Sequence, residues 1–460
     1  MTGPAPGPIM QTIDIRTGVW YNDRLIQLVF PAAWDVVTHW PDTPLPLTDE
    51  AMVAAINAPV GQPPLRVLAQ GKQSPVVIVD DLTRPTPVFR IMPFLLDEFR
   101  AAGIQATSIR IIVATGTHGD QDRRALVHKL GSEASGACRV IVHNDLRDTA
   151  FMGRTSFRTP VHVNRELLDS DLIVGVGGVY PQHTVGFGGG AKLALGVLGR
   201  TSISHLHYGH GSVGGAYDIN NDFRKDVTEI ARMIGLHTLY TLHINGHLEV
   251  VKLTCGDHFS YYPDAAEFSL ERYRAPLPDD ADVVIANAYP FDSSFTFMRK
   301  AYKPLECAGA ATTRIIVASN DGGIGTHGLF QHMEPPRFAR YRSLYRRITT
   351  MGPREILGKI AQRLRRRPAG EGEGPARNYA LPQNADHLWV YCPDQKEGAI
   401  PAIDGMTITS SWNEIITAVE QKHAAPGKKI TVRLYPCAAL QCLPAIPGTV
   451  PARDDRTCLS

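Results

Sequence analysis

The sequence has little that would tie it to a membrane, to nucleic acid or to a secretory route. No apolar run reaches the roughly 18 residues of a membrane-spanning helix. The N-terminal MTGPAPGPIMQ lacks the basic start and apolar core of a signal peptide. The net charge is only +2 over 460 residues, which gives no general attraction to nucleic acid or lipid. These absences predict a cytoplasmic protein without nucleic-acid or membrane partners.

Cysteine is scarce and scattered. The seven cysteines form no CxxC motif and no tight framework, so we expect them to be reduced and mostly buried. They are Cys138, Cys255, Cys307, Cys392, Cys437, Cys442 and Cys458. The arginine-rich segment 337–367 predicts a solvated helix, and the Gly, Glu and Pro residues of 368–377 predict a flexible linker.

The chain contains many short runs of β-branched residues, each followed by a polar loop. Runs at 74–80, 109–114, 139–143 and 171–177 are typical of buried parallel strands. Runs at 282–286, 314–319, 388–392 and 430–435, with a helix at 412–422, predict a second unit. Because 460 residues exceed one usual core, we predict two α/β domains with mostly parallel sheets, at 1–278 and 279–460. The active site is expected in the cleft between them.

The richest stretch is 175–210, which holds ten glycines and four histidines. Gly188, Gly189 and Gly190 precede Lys192, and such glycines let a backbone approach a ligand closely. The GxxxxGK[ST] spacing of a phosphate-binding loop is missing. Lys192 therefore either binds a phosphate by its charge or is a covalent attachment point.

Three histidines follow the glycines, at positions 205, 207 and 210. One of His205, His207 and His210 is a credible metal ligand. A three-histidine zinc site, as in a zinc hydrolase, is the alternative, although the other expected ligands are not visible at fixed offsets.

Two earlier loops carry chemistry at strand ends. DDLTRPTP, residues 80–87, places Arg84 in a proline-stiffened loop, where it can bind a carboxylate through two hydrogen bonds or pair with aspartate to stabilise the turn. His118 lies in ATGTHGD, and a neutral imidazole in such a loop suits proton transfer near neutral pH.

Together, DDLTRPTP, ATGTHGD, PQHTVGFGGGAK and KAYKPLECA resemble, in this order, the nickel-dependent lactate racemase family. The resemblance covers residues 76–236 and 282–308. It implies a racemase or 2-epimerase of 2-hydroxy acids that uses a nickel-pincer nucleotide, which is a sulfur-bearing pyridinium nucleotide that holds nickel. It also implies partner proteins that synthesise this cofactor.

The resemblance assigns roles to individual residues. Lys192 matches the lysine that forms a thioamide with the cofactor, and His207 matches the nickel ligand, with His210 or His205 as alternatives. Asp81, Thr83 and the backbone of Gly188, Gly189 and Gly190 are candidates for binding the nucleotide.

His118 matches one of two histidines that take the substrate's hydroxyl proton while hydride leaves C2. The position of the second holds Gln182, followed by His183. Glutamine cannot act as a base at neutral pH. Either His183 reaches the site, or the chemistry is one-sided, or the protein binds an anionic ligand without racemising it.

The substrate side of the resemblance has one further difference. Arg84 and Lys303 match the residues that hold the substrate carboxylate, but Lys300 stands where the family has glutamine. An extra cation predicts a second anionic group on the substrate, as in a dicarboxylate or a sugar acid, unless Lys300 faces solvent.

Overall fold

The computed structural model describes residues 10–119, 121–211, 217–328, 381–394, 400 and 402–444. The segment 337–367, the linker 368–377 and Cys458 lie outside these residues. Within them, no helix has the length and apolar character needed to cross a membrane. The six described cysteines are free, and all but Cys307 are buried, as predicted.

The described strands, in chain order, are β1 (Met10–Thr17), β2 (Arg24–Pro31), β3 (Asp35–Thr38), β4 (Pro75–Asp80), β5 (Arg110–Ala114), β6 (Arg139–Val142), β7 (Thr149–Arg154), β8 (Pro160–Asn164), β9 (Leu172–Gly178), β10 (Pro181–Gln182), β11 (Gly186–Phe187), β12 (Thr238–Ile244), β13 (Val250–Asp257), β14 (Val283–Asn287), β15 (Thr313–Val317), β16 (Leu388–Tyr391), β17 (Met406–Thr409) and β18 (Thr431–Tyr435).

The described α-helices are α1 (Asp49–Asn57), α2 (Leu65–Leu68), α3 (Met92–Ala101), α4 (Arg123–Leu130), α5 (Ser132–Ala137), α6 (Arg200–Gly209), α7 (Asp222–Met233), α8 (His258–Arg272), α9 (Phe295–Met298), α10 (Tyr302–Glu306) and α11 (Trp412–His423). Short 3-10 helices lie at Val88–Arg90, Ala106–Ser108, Arg165–Leu167, Gly190–Val197 and Arg299–Ala301.

The first sheet has the strand order β13-β12-β9-β4-β5-β6. Its strands run parallel except β13, which pairs antiparallel with β12. Every residue of β4 is buried, because helices and loops cover both faces of the sheet and β-branched side chains fill the space between. The predicted α/β class with mostly parallel sheets is confirmed.

The second sheet has the order β17-β16-β15-β14-β18-β3, and all its pairs are parallel. Its edge strand β3 comes from the start of the chain and pairs with β18. The hairpin β1-β2 packs on the same sheet, since Ile15, Leu28 and Phe30 share a core cluster with Val283. The predicted division at residue 278 assigned these first strands to the first domain, whereas β3 belongs to the second sheet. The sequence did not reveal this pairing, because no local pattern encodes a contact between residues so far apart.

Loops from the carboxyl ends of both sheets meet. The Gly328 N–H, in the loop after β15, donates to the Thr117 carbonyl, in the loop after β5, at 2.8 Å. The ring of Phe297 in α9 lies 4.9 Å from the ring of His118. Parallel strands direct their carboxyl ends to one edge, so each sheet contributes several loops to this region.

Candidate functional site

The loop after β4 holds His118 through Asp81. Asp81 Oδ2 lies 2.6 Å from His118 Nδ1, and Asp81 Oδ1 accepts hydrogen bonds from the Thr83 hydroxyl and N–H at 2.6 and 3.2 Å. Burial would raise the pKa of Asp81, but His118 and Arg84 outweigh it and lower that pKa to about 2. Asp81 is therefore an anion that accepts a hydrogen bond from the Nδ1–H group of His118, which leaves the lone pair of the neutral ring on Nε2. The two hydrogen bonds from Thr83 stabilise the negative charge of the same carboxylate.

Burial lowers the pKa of His118 below 6.5 despite the favourable charge of Asp81, and the positive charges of Arg84 and Lys192 act in the same direction. The imidazole is therefore neutral near pH 7 and able to accept a proton. This geometry fits the predicted role of His118.

A buried ion pair fixes the loop that carries Arg84. Lys129 Nζ lies 2.7 Å from Asp80 Oδ1 and donates to the Arg84 carbonyl at 2.6 Å, and the Lys129 side chain is completely buried. The Arg84 guanidinium donates to the Thr83 hydroxyl at 2.8 Å. Lys129 is a positioning residue that the sequence pattern of α4 did not reveal.

The glycines before Lys192 are required mainly by close packing. A Cβ at Gly189 would lie 2.3 Å from the Gly178 carbonyl oxygen, and one at Gly190 would lie 2.3 Å from the Tyr262 ring. Both have positive φ, +74° and +58°. A Cβ on Gly188 would meet its nearest atom at 3.7 Å. Cofactor binding by these three backbones stays a prediction.

Gly190→Ala is expected to lower the free energy of unfolding by about 2–4 kcal/mol, from a left-handed backbone and overpacking against Tyr262. The Tyr262 ring cannot easily move away, because its hydroxyl donates to the Gly188 carbonyl at 2.7 Å. Gly71→Ala is the matched control, since Gly71 has φ +73° and nothing within 4 Å of its Cβ position. Denaturant unfolding of both variants isolates the clash; equal losses would contradict it.

Lys192 lies at the start of the 3-10 helix Gly190–Val197, half-buried, where positive charges converge. Burial, with Arg84 and Arg224, lowers its pKa to about 7. Burial, Arg84 and Lys192 likewise lower the pKa of Lys300 well below its ordinary value. Lys300 is partly buried, with its Nζ 5.1 Å from the centre of the Phe291 ring, and its contact with a substrate stays a prediction.

The three histidines of 205–210 have different partners. His207 Nδ1 lies 2.9 Å from the Ile203 carbonyl, which selects the tautomer with the lone pair on Nε2, and burial lowers the pKa of His207 to about 3. His210 Nε2 lies 2.7 Å from the fully buried Asp226. His205 Nδ1 lies 3.0 Å from the Thr201 carbonyl. His207 is the member whose surroundings include Lys192 and His118.

Within the described ranges, no three His, Cys, Asp or Glu side chains gather as a metal site. The zinc hydrolase alternative is therefore not supported, because zinc needs three or four protein ligands.

Gln182 folds back onto its own loop. Its side-chain oxygen accepts hydrogen bonds from Thr184 N, Thr184 Oγ1 and Val185 N at 2.8, 2.5 and 3.0 Å. Three donors on one oxygen give Gln182 a structural role in this turn.

His183 lies next to the cations of the second sheet. Desolvation, then the positive charges of Lys300 and Lys303, lowers the pKa of His183 to about 4, although His183 is an exposed residue. Lys303 is in α10, directly after the 3-10 turn that contains Lys300. Whether His183 or Gln182 contacts a substrate stays a prediction.

His327 is a site residue that the sequence analysis did not single out. Its ring lies 5.0 Å from His118 and 6.0 Å from Phe297. The signal was present, because GGIGTH after β15 repeats the strand-then-loop pattern of ATGTHG after β5.

The residues present fit the cofactor that the resemblance implies. Arg84, Lys192 and Lys300 concentrate positive charge, and the carboxylate that acts on both lysines, Asp81, is already paired with His118. Such a cluster suits an anionic ligand such as a phosphate. Lys192 offers an amine with a pKa near neutral pH for the covalent bond. His207 offers a single imidazole ligand, which is enough for a metal ion whose other ligands come from the cofactor.

The chain is similar in sequence to lactate racemases. Residues 21–214 match the family described as lactate racemase N-terminal domain. The chain is 26% identical over 299 residues to the lactate racemase of Lactiplantibacillus plantarum, covering 62% of this chain and 69% of that one. It is 25% identical over 304 residues to the lactate racemase of Thermoanaerobacterium thermosaccharolyticum, covering 63% and 70%.

The fold is also similar to two solved structures. The lactate racemase apoprotein of T. thermosaccharolyticum matches with a TM-score of 0.64 at 20% identity, covering 95% of this chain and all of that one. A protein of Thermotoga maritima matches with a TM-score of 0.53 at 16% identity, covering 87% and 98%.

Proposed function

Because residues 21–214 match the family described as lactate racemase N-terminal domain, we propose that the chain is an isomerase that racemises or 2-epimerises a 2-hydroxy acid. The observation that carries the proposal is the neutral His118 imidazole, held by Asp81 beside the cations Arg84 and Lys192. A base next to a cluster of cations is what deprotonation of a hydroxy acid's hydroxyl group needs.

A nickel-pincer nucleotide would supply a hydride acceptor when bound. Lys192 would hold it covalently and His207 would bind its nickel. We place the site in the cleft between the two sheets, where protein on both sides would exclude water. The proteins that make the nucleotide are then required partners.

The remaining steps belong to this chain's own side chains. Arg84, with its loop fixed by Lys129, would bind the substrate carboxylate through two hydrogen bonds, with Lys303 on the opposite side. His118 Nε2 would take the hydroxyl proton while Asp81 stabilises the resulting imidazolium, and would later return that proton. Orientation by fixed groups lowers the entropic part of the barrier.

The function is tested by incubating one enantiomer of a 2-hydroxy acid with the cofactor-loaded protein and measuring the other by chiral chromatography. Lactate, malate and a sugar acid are the first substrates to try. We expect the two enantiomers or epimers to approach a fixed ratio. A ligand that binds without forming its mirror image would favour the alternative, a protein of this fold that binds an anion without racemising it.

Lys300→Gln is expected to lower kcat/KM for a dicarboxylate such as malate by about 10–100-fold and to change that for lactate less than threefold, because one charge-assisted hydrogen bond is lost. Lys300→Arg keeps the charge and is the control. Steady-state kinetics on both acids measures the ratio. A wild-type enzyme that prefers lactate, or an equal loss on both acids, would contradict a second anionic group on the substrate.

A further inference from the structure

The loop after β15 is fixed at two points. Thr296 Oγ1 donates to the Ile324 carbonyl at 2.7 Å, and Gly328 N–H donates to the Thr117 carbonyl at 2.8 Å. The first bond ties the loop to α9 and the second ties it to the first sheet. His327 lies between these two hydrogen bonds, so the backbone is held on both sides of it.

The two loops approach so closely that their imidazoles become neighbours. A Cβ at Gly119 would lie 3.0 Å from the Thr326 Cβ, which is closer than an ordinary van der Waals contact. The rings of His118 and His327 are 5.0 Å apart at 57°, and both lie against Phe297. We call His118 and His327 the imidazole pair.

The charges that face the imidazole pair favour neutral rings. Burial is the main cause that lowers the pKa of His327 well below 6.5, followed by His118, His207, Arg84 and Lys300. These groups come from the loops after β4 and β5, from α6 and from the segment before α10. A proton added to His327 would meet repulsion from these neighbours, so its ring is neutral near pH 7 and can accept a proton, as the ring of His118 can.

We propose that His327 is a second catalytic imidazole, which contacts the substrate's hydroxyl group from the side of the second sheet. The inference rests on the proposed function. Inversion at C2 changes the side on which the hydroxyl lies, so two adjacent proton acceptors match the two configurations. The O–H bond breaks, its proton passes to one ring nitrogen, and one proton returns to the oxygen of the product. Gln182 has no basic nitrogen for this step.

His327→Gln is expected to lower kcat of the cofactor-loaded enzyme by about 100-fold or more, with KM within about threefold, because general acid–base catalysis contributes about 10²–10⁴-fold. His387→Gln is the matched control, since His387 is an exposed histidine that bonds Thr407. We expect it to keep the wild-type rate. A His327→Gln enzyme with kcat within threefold of wild type, under conditions where His118→Gln is impaired, would overturn the proposal.

A second measurement does not depend on turnover. In ¹⁵N-histidine-labelled protein, His327→Gln identifies the His327 ring signals, and pyruvate, a planar 2-keto acid, is added as the probe. We expect the ring signals of both members of the imidazole pair to shift and saturate at the same pyruvate concentration. An unmoved His327 signal overturns the proposal. If the wild type interconverts no enantiomers, the proposed function fails, while the pyruvate titration still reports on His327.

Discussion

Replacing Lys192 with alanine is expected to abolish the covalent adduct and to reduce racemisation below detection. At a pKa of about 7, about half of the Lys192 amines are neutral at pH 7, whereas an ordinary lysine is neutral in roughly one molecule in three thousand. Only the neutral amine is a nucleophile, so this position is prepared for acylation. Intact-mass spectrometry of protein from cells that make the nucleotide measures the adduct.

The Lys192→Arg variant separates the positive charge at this position from the ability of its side chain to be acylated. It keeps the positive charge that would bind a phosphate but has no neutral amine at pH 7. We expect it to carry no adduct. An adduct that persists in Lys192→Ala would show that the attachment point is elsewhere, and full activity in Lys192→Arg would reduce Lys192 to an electrostatic role.

The reactivity of Lys192 can also be measured without the cofactor. Trace acetylation of the apoprotein between pH 6 and 9 should label Lys192 with a midpoint near pH 7. A Lys192 profile that keeps rising to pH 9 would contradict the lowered pKa.

His118→Gln is expected to lower kcat by about 10²–10⁴-fold with little change in KM, because it removes the proton acceptor and keeps a polar side chain of similar reach. Steady-state kinetics on the best 2-hydroxy acid measures it. A loss that appears in KM alone would assign His118 to binding.

The Asp81→Asn variant tests whether the charge of Asp81 controls the pKa of His118. The neutral imidazole is the active form, so the rate should fall as pH drops through the pKa of His118, which lies below 6.5. The charge of Asp81 raises that pKa, and therefore Asp81→Asn should move the acidic limb of kcat/KM to lower pH while reducing the rate. Asp81 itself protonates only near pH 2, so its charge is constant across the assay range. An unmoved limb would contradict the coupling.

The strands that carry the site were predictable because their signal is local. β4 and β5 contain short runs of buried β-branched residues, β9 combines such residues with glycine, and the observed bounds differ from the predicted ones by at most one residue. Parallel strands place their loops at one edge, so the meeting of Arg84 and His118 also followed from the pattern.

Other features depend on contacts between distant residues and have no local signal. Position 190 requires glycine because the Tyr262 ring leaves no space for a Cβ, and Lys129 can be buried because it forms an ion pair with Asp80. Neither partner can be identified from spacing alone. His327 differs, because its loop repeats a pattern already associated with His118 and could have been included.

The pairing of β3 with β18 also has a consequence for biosynthesis. Residues 35–38 leave the ribosome early, but their partner, residues 431–434, is made almost four hundred residues later. Trp412 in α11 likewise donates to the carbonyl of Val29 in β2 at 2.8 Å. The hairpin β1-β2 therefore cannot complete its packing until α11 and β18 have been made, and part of its apolar surface stays exposed until then. Exposed apolar surface of this kind is what chaperones protect during synthesis.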